Sequence, residues 1–206
     1  MIPKKIHYCW FSGRNIPAEL QRCIDSWKKF CPDYEIVRWD ESNYDITKNA
    51  YMQSAYKEKR WGFVPDYARF DIVFQEGGFY LDTDVELIRS LDSLRENACY
   101  LGFETPVTLN AGLGFGAEAG NSVIRALRDT YDGLSFCRPD GSPNLTPSPY
   151  YVTKCLETLG VRRNGQLQRL EHVTVYPQDY FGAKDYRTGE IHVTPHTYSI
   201  HHFSCT

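Results

Sequence analysis

The chain has 206 residues, of which 42% are hydrophobic and 15% aromatic, and its formal net charge is −3. A chain of this length suits one domain. It buries about 70% of its unfolded surface, so its core needs neither disulfides nor a structural metal. Charges of both signs are spread along the sequence, which provides no basic surface for nucleic acid. A ligand that carries phosphate must therefore be held by a local site.

The seven cysteines form no Cys-x-x-Cys pair, and the closest two, Cys23 and Cys31, are eight residues apart. This pattern indicates reduced thiols and a cytosolic setting. No apolar run approaches the ~20 residues that a membrane span requires, and the first four residues do not resemble a signal peptide. We therefore expect a soluble cytoplasmic protein, with at most peripheral contact at the inner face of the membrane.

The first forty residues predict a strand, a helix and a second strand. Residues 5–11 are a strand candidate that ends in a polar turn, Pro17 suits the first turn of a helix, and residues 34–39 form the second strand. Such a βαβ unit favours a parallel sheet. Open α/β sheets bind ligands beyond the carboxyl ends of their strands, so Trp10 is a candidate for stacking on a nucleotide base. Core packing of this aromatic is an equally good interpretation.

Residues 61–87 carry the most informative pattern in the chain. Pro65 suits the start of a helix, apolar residues then recur at helical spacing, and Gly77-Gly78 ends the helix. Residues 79–81 are aromatic and aliphatic, as is typical of a buried strand, and lead directly into Asp82-Thr83-Asp84. The sequence therefore predicts a helix, a tight turn, a strand and a pair of acids.

Asp82 and Asp84 are candidate ligands of a metal ion. Two carboxylates separated by one residue point the same way from an extended chain, with Cα atoms roughly 6.5 Å apart. Mg²⁺ and Mn²⁺ bind carboxylate oxygens and complete their shells with water and substrate phosphates. A polar strand end without a metal would show the same two residues, so the pair alone does not establish a metal site.

Asp66 and Arg69 add weight to this hypothesis. They are three residues apart and share a face of the helix that precedes the acids. An arginine at this place suits phosphate, and an aspartate suits sugar hydroxyls. The alternative is an ion pair within the helix on a solvated face.

The rest of the chain predicts three further helical segments, three further strands and a long loop. The helical segments are 43–56, which could also be irregular, 121–131 and 150–159; the strands are 98–103, 173–176 and 191–193, and the loop is 137–149. Gly112, Gly114 and Gly116 alternate, which does not fit a dinucleotide fingerprint and indicates close backbone approach instead.

Five of the six histidines follow residue 170, and His201 and His202 are adjacent. Histidine is a frequent ligand for Mn²⁺. Adjacent residues of a strand face opposite sides, so only one of the two can readily reach the acids. Ordinary packing would leave both outside the site.

The segments Asp66-Tyr67-Ala68-Arg69 and Gly77-Gly78-Phe79-Tyr80-Leu81-Asp82-Thr83-Asp84 resemble the core signature of glycosyltransferase family 32. That family includes Golgi mannosyltransferases, bacterial capsular polysaccharide transferases and, more distantly, the glucosylating domains of large clostridial toxins. The resemblance begins at residues 2–7 and fades after the first half of the chain. It implies one α/β domain over residues 1–206 with a GT-A type fold, a Rossmann-like mixed sheet flanked by helices.

The resemblance also implies an activity. The family moves a hexose from a nucleotide-diphospho-sugar, here a UDP- or GDP-sugar, to a saccharide or lipid-linked saccharide, with retention of anomeric configuration, and Mn²⁺ or Mg²⁺ is the expected cofactor. The resemblance further implies a role in bacterial surface polysaccharide synthesis. The implied catalytic residues are Asp66, Arg69, Asp82 and Asp84, the donor contacts are Trp10, Tyr80 and Asn110, and the metal ligands are Asp82, Asp84, His201 and His202.

The chain departs from the family pattern at two places. The family's Thr-Gly-Pro turn lacks its glycine at Thr146-Pro147, and the sequence reaches Thr206 without the tryptophan that follows the family's His-His-aromatic segment. We therefore expect the carboxyl-terminal part of the site to be incomplete.

Two other functions stay open. A nucleotide-sugar-binding module without turnover would carry the same residues. A phosphatase of the haloacid dehalogenase type also places Asp-x-Asp after an apolar strand, but it requires Thr or Val where Glu86 stands.

Overall fold

The computed structural model describes residues 1–204 of the chain. Its helices are α1 (Ala18–Phe30), α2 (Ala50–Lys57), α3 (Pro65–Glu76), α4 (Ser122–Asp129) and α5 (Ser148–Thr158). Its strands are β1 (Lys5–Cys9), β2 (Glu35–Trp39), β3 (Gly78–Tyr80), β4 (Val85–Leu87), β5 (Cys99–Thr105), β6 (Thr108–Leu109), β7 (Phe115–Ala117), β8 (Gln168–Arg169), β9 (Thr174–Tyr176) and β10 (Ser199–His201). Within the described residues, no helix combines the length and the apolar character that crossing a bilayer demands.

The main sheet is mixed. Its strand order is β2-β1-β3-β7-β5-β9-β8, with β6 attached to β5. Strand β1 is parallel to β2 and β3, and β5 is parallel to β9, whereas β7 runs antiparallel to both of its neighbours. The β1-α1-β2 unit and its parallel pairing therefore agree with the prediction. Strands β4 and β10 form a separate antiparallel pair.

Side chains that alternate along the strands form two cores, one on each face of the sheet. Phe79 of β3 packs in a cluster with Trp27 of α1, whereas Tyr80 packs in a larger cluster with residues of the other four helices. Trp27 is fully buried, and its Nε1–H donates to the carbonyl oxygen of Val85 at 2.7 Å. This bond ties α1 to the strand that follows the paired acids.

The turn between α3 and β3 requires glycine at both positions. Gly77 and Gly78 have φ of +65° and +101°, a region that is costly for other residues. A Cβ on Gly78 would also lie 2.9 Å from the carbonyl oxygen of Lys5 on the neighbouring strand. The sequence signal that ends the helix therefore also delivers β3 against β1.

The close approach expected at the alternating glycines is present: a Cβ on Gly116, which lies in β7, would be 2.9 Å from the rings of Phe79 and Tyr100. One other prediction needs correction. The predicted strand at 191–193 is wrong, since only Ile191 makes a bridge, to Lys184. The passage over 43–56, expected to be helical or irregular, consists of a 3-10 turn at Ile46–Lys48 followed by α2. The expectation about the chain end concerns Thr206, which lies outside the described residues.

Candidate active site

The structure brings Asp82, Asp84 and His201 together. One possible ligand atom of each lies within 4.8 Å of the others. The prediction placed the two acids on an extended chain. They occupy a turn instead, in which the Val85 N–H donates to the Asp82 carbonyl oxygen at 3.0 Å. The turn leads into β4, where Val85 pairs with His201 of β10, so the small sheet places the imidazole beside the carboxylates.

The cluster fits a divalent cation. Asp84 accepts from the Ser204 N–H at 2.8 Å, and its other oxygen lies 3.2 Å from His201 Nε2. His201 Nδ1 is buried and has no hydrogen-bond partner among residues 1–204. A buried polar atom normally has one, and two carboxylates with an imidazole form a donor set that suits Mn²⁺.

Asp84 and His201 each favour the charged form of the other. Burial acts to raise the pKa of Asp84, but hydrogen bonding and attraction from His201 outweigh it, so the pKa is lowered. Burial acts to lower the pKa of His201, and Asp84 and Asp82 outweigh it in the opposite direction. Burial raises the pKa of Asp82 in spite of the nearby Arg69.

His202 lies outside the cluster. Its Nε2 is 2.8 Å from Glu86 Oε2, and Glu86 is opposite Ile200 in the β4–β10 pair. Because neighbouring strand residues face opposite sides, His201 reaches the acids and His202 does not. The prediction of His202 as a metal ligand therefore needs correction, because its ring contacts Glu86 instead.

Arg69 connects α3 to the acids. Its Nη2 donates to Asp66 Oδ1 at 3.1 Å, its Nη1 lies 3.4 Å from Asp82 Oδ2, and its Nε donates to the carbonyl oxygen of Pro65 at 3.2 Å. Arg69 and Asp66 are 4% and 3% exposed, so the alternative of a solvated surface pair is wrong. Burial raises the pKa of Asp66 to about 7, against the opposing effect of Arg69. Asp66 contacts Arg69 directly and holds its guanidinium in place.

Tyr80 does not face the open side of the site. It is 1% exposed, stacks on Phe115 with a centroid separation of 5.7 Å, and lies 5.3 Å from the Arg69 guanidinium. Its predicted contact with the donor therefore needs correction, since a buried phenol beneath Arg69 supports that side chain instead. The reason is strand alternation, which directs Tyr80 into the larger core.

Trp10 follows β1 and lies at the edge of the sheet where β3 also ends. His7 of β1 is opposite Tyr80 of β3 in a parallel pair, so both chains leave the sheet on the same side. The Trp10 ring is half-buried, and its Nε1–H donates to the carbonyl oxygen of Arg14 at 2.7 Å. Its contact with a nucleotide stays a prediction.

Asn110 shapes the loop that covers Asp82. Its Oδ1 accepts from the Gly112 N–H at 2.7 Å, and Asn110 is itself buried. A Cβ on Gly112 would lie 2.7 Å from Asp82 Oδ2 and 3.0 Å from Asn110 Oδ1. The backbone of this loop therefore closes over the carboxylate as tightly as an amino acid without a side chain allows.

We expect Gly112→Ala to displace the Asp82 carboxylate, because the added methyl group occupies its position. Mn²⁺ affinity, measured by calorimetry, should fall at least about tenfold, which corresponds to about 1.4 kcal/mol. Gly133→Ala is the matched control, since no atom lies within 4 Å of a Cβ there and its φ is not positive. Equal Mn²⁺ affinity in the two variants would contradict the proposed closeness of loop and acid.

Sequence reasoning missed two groups in the site. Glu104 is half-buried on β5; burial raises its pKa, while His201 and the Asn110 side chain act in the opposite direction. The sequence signal for Glu104 is that it is an acid near the carboxyl end of an apolar strand. The second group is the backbone N–H of Ser204, which no side-chain pattern can reveal.

Comparison with solved structures bears on the fold. The glycosyltransferase PaToxG superposes on 77% of the chain and 70% of its own with a TM-score of 0.58 at 16% identity. The glycosyltransferase GlyE of Streptococcus pneumoniae TIGR4 superposes on 99% of the chain and 55% of its own with a TM-score of 0.53 at 13% identity. The fold is that of a GT-A type glycosyltransferase, as the sequence resemblance implied.

The sequence comparisons agree with the resemblance. Residues 17–101 match the family model described as a glycosyltransferase sugar-binding region containing a DXD motif. The inositol phosphoceramide mannosyltransferase 3 of Schizosaccharomyces pombe is 36% identical over 101 residues, which are 45% of this chain and 27% of that protein. The chain thus spans about a quarter of this curated relative. The resemblance to DXD glycosyltransferases is confirmed.

Proposed function

We propose that the chain is a metal-dependent, retaining glycosyltransferase of family 32 that transfers a hexose from a UDP- or GDP-sugar to a saccharide or lipid-linked saccharide. The observation that supports this proposal best is the convergence of Asp82, Asp84 and His201 with Arg69 at the end of β3. A nucleotide-diphospho-sugar needs positive charge beside its diphosphate, and a cation held by this cluster together with the Arg69 guanidinium would supply it.

The chemistry asks mainly for positioning and for stabilisation of negative charge. A divalent cation, when bound, would neutralise charge on the departing diphosphate. Arg69 is held by Asp66 and the Pro65 carbonyl, so its guanidinium is fixed before a substrate arrives. Asp82 belongs to both the cation cluster and the Arg69 contact and joins the two in one site.

The relative from S. pombe supports the proposed hexose donor and the proposed lipid-linked acceptor. Its name describes transfer of mannose to a lipid, which is consistent with a hexose donor and a lipid-linked acceptor here. An acceptor at a membrane would draw the protein to the inner face of the membrane as a peripheral component, in bacterial surface polysaccharide synthesis.

The second candidate is a nucleotide-sugar-binding module without turnover, which would use the same residues. The phosphatase alternative receives no support, because the fold is that of glycosyltransferases. A panel of nucleotide sugars separates the first two functions. We expect one UDP- or GDP-hexose to raise the melting temperature only with Mn²⁺, because a ligand stabilises by RT ln(1 + [L]/Kd), and to be slowly hydrolysed. Stabilisation without release of nucleotide would favour the binding module, and no stabilisation by any donor would contradict both.

The two histidines should differ in their effect on metal affinity. His201→Ala removes an imidazole from the cluster and should weaken Mn²⁺ binding at least about 10- to 100-fold, the typical cost of losing even a residue that only supports a metal ligand. His202→Ala is the matched control, because it removes the neighbouring ring that contacts Glu86 instead. Calorimetric titration of both variants is the measurement. Equal and negligible effects of the two substitutions would show that neither histidine belongs to the metal site.

A further inference from the structure

A cavity of about 480 Å³ lies outside the acid cluster, among the loops around β8 and β9. Pro106 after β5 lines one side of it, and Gly182 and Ala183 line another. Ligand pockets in proteins commonly have volumes of about 300–1,000 Å³. The cavity is therefore large enough for a mono- or disaccharide.

The cavity adjoins the candidate active site through β10. Gly182 forms a β-bridge with Ile200, the residue before His201. The next lysine along the chain, Lys184, donates from Nζ to the carbonyl oxygen of His202 at 2.8 Å. One wall of the cavity is thus bonded to the strand that carries the histidine of the cation cluster.

The lining of the cavity consists largely of planar polar side chains. Its amides and carboxylates are Asn164, Gln166, Gln178, Asp179, Asp185 and Glu190. The side-chain amides of Gln166 and Gln178 make no hydrogen bond within the described part of the chain. Each such amide offers two donors and one acceptor oxygen, which matches the hydroxyl groups of a sugar, since these also donate and accept.

The charge of the lining selects the type of ligand. Among the described residues that line the cavity there are three carboxylates and neither lysine nor arginine. A diphosphate would therefore meet like charge here, whereas a neutral polyhydroxylated molecule would not. We propose that this cavity is a binding subsite for the acceptor saccharide, an inference that rests on the proposed transferase function. Gln178 and Gln166 are its principal hydrogen-bonding side chains.

Saturation-transfer NMR with the full chain tests this inference. The probes are methyl α-D-mannopyranoside, methyl β-D-galactopyranoside and lactose, each added with and without UDP and Mn²⁺. We expect at least one to bind the wild-type protein and to stay bound when UDP is added. Gln178→Ala and Gln166→Ala should each weaken its affinity about three- to tenfold, the effect of losing a hydrogen bond to a neutral group. Gln53→Ala on α2, at a glutamine half-buried like Gln178, should leave the affinity unchanged.

Two results would overturn the subsite: binding of none of the probes, or equal affinity in the wild-type protein and both glutamine variants. Melting temperatures of the variants, compared with that of Gln53→Ala, show that any loss is not unfolding. Donor binding with Mn²⁺, measured on the same samples, separates the two claims. If donor binding is intact while the probes fail, the subsite alone is wrong. If no donor binds, the proposed function itself fails.

Discussion

Replacing Asp84 by alanine is expected to abolish the Mn²⁺-dependent binding of UDP or GDP while the protein stays folded. Asp84 lies 3.2 Å from His201 and is only 7% exposed, so its carboxylate is held inside the cluster. Loss of a carboxylate ligand removes both charge and a coordination position. Calorimetric titration with Mn²⁺ and each nucleotide should show affinity reduced beyond the measurable range.

Two further variants make this experiment decisive. Asp84→Asn keeps the side-chain volume and an oxygen for the Ser204 N–H, so it should fold normally and still lose the metal dependence. Asp132→Ala, at an exposed acid, controls for the change in net charge. If nucleotide binds Asp84→Ala as tightly as the wild-type protein, with the same metal requirement, Asp84 is not a ligand.

Arg69→Lys is expected to reduce turnover by about 10²–10³, the usual cost of removing a preorganised electrostatic group. Lysine keeps the charge but loses the planar fork that contacts Asp66 and Asp82 together. Donor hydrolysis rates provide the measurement, and Arg125→Lys, at an exposed arginine of α4, is the matched control. A lysine variant with the wild-type rate would reduce Arg69 to a structural role.

The free energy of unfolding of variants at position 69 gives a second test of the same geometry. Arg69→Ala leaves Asp66 buried beside an empty space, and breaking a buried ion pair costs about 3–5 kcal/mol. Denaturant unfolding should therefore show a large loss for Arg69→Ala and a smaller one for Arg69→Lys. A loss below ~1 kcal/mol for the alanine variant would match an exposed pair, which the structure contradicts.

Sequence patterns identified the first half of the fold because its signals are local. Helical periodicity and Pro65 predict α3, and Gly77-Gly78 predicts the turn that delivers β3. The short strands of the second half carry no such signal. Strand β7 contains only three residues, and Gly116 is there because two aromatic rings on neighbouring strands need its space. That requirement exists only after the sheet has formed.

The site residues also divide into those that the local sequence reveals and those that only the folded chain brings together. Asp82 and Asp84 are two residues apart, so the sequence reveals them as a pair. His201 joins them through the pairing of β4 with β10, which links positions more than a hundred residues apart. Strand alternation predicted that only one histidine could reach the acids, and only the register identifies it as His201. The burial of Tyr80 beneath Arg69 is likewise a consequence of packing.

The most direct test of the central claim is the position of Mn²⁺ in crystals grown with Mn²⁺ and UDP. Mn²⁺ scatters anomalously, so its position can be found without assuming any ligand. We predict one anomalous peak in contact with carboxylate oxygens of Asp82 and Asp84 and with the His201 imidazole, and with the UDP diphosphate on its open side. Bound UDP with no anomalous peak at these three residues would contradict the account.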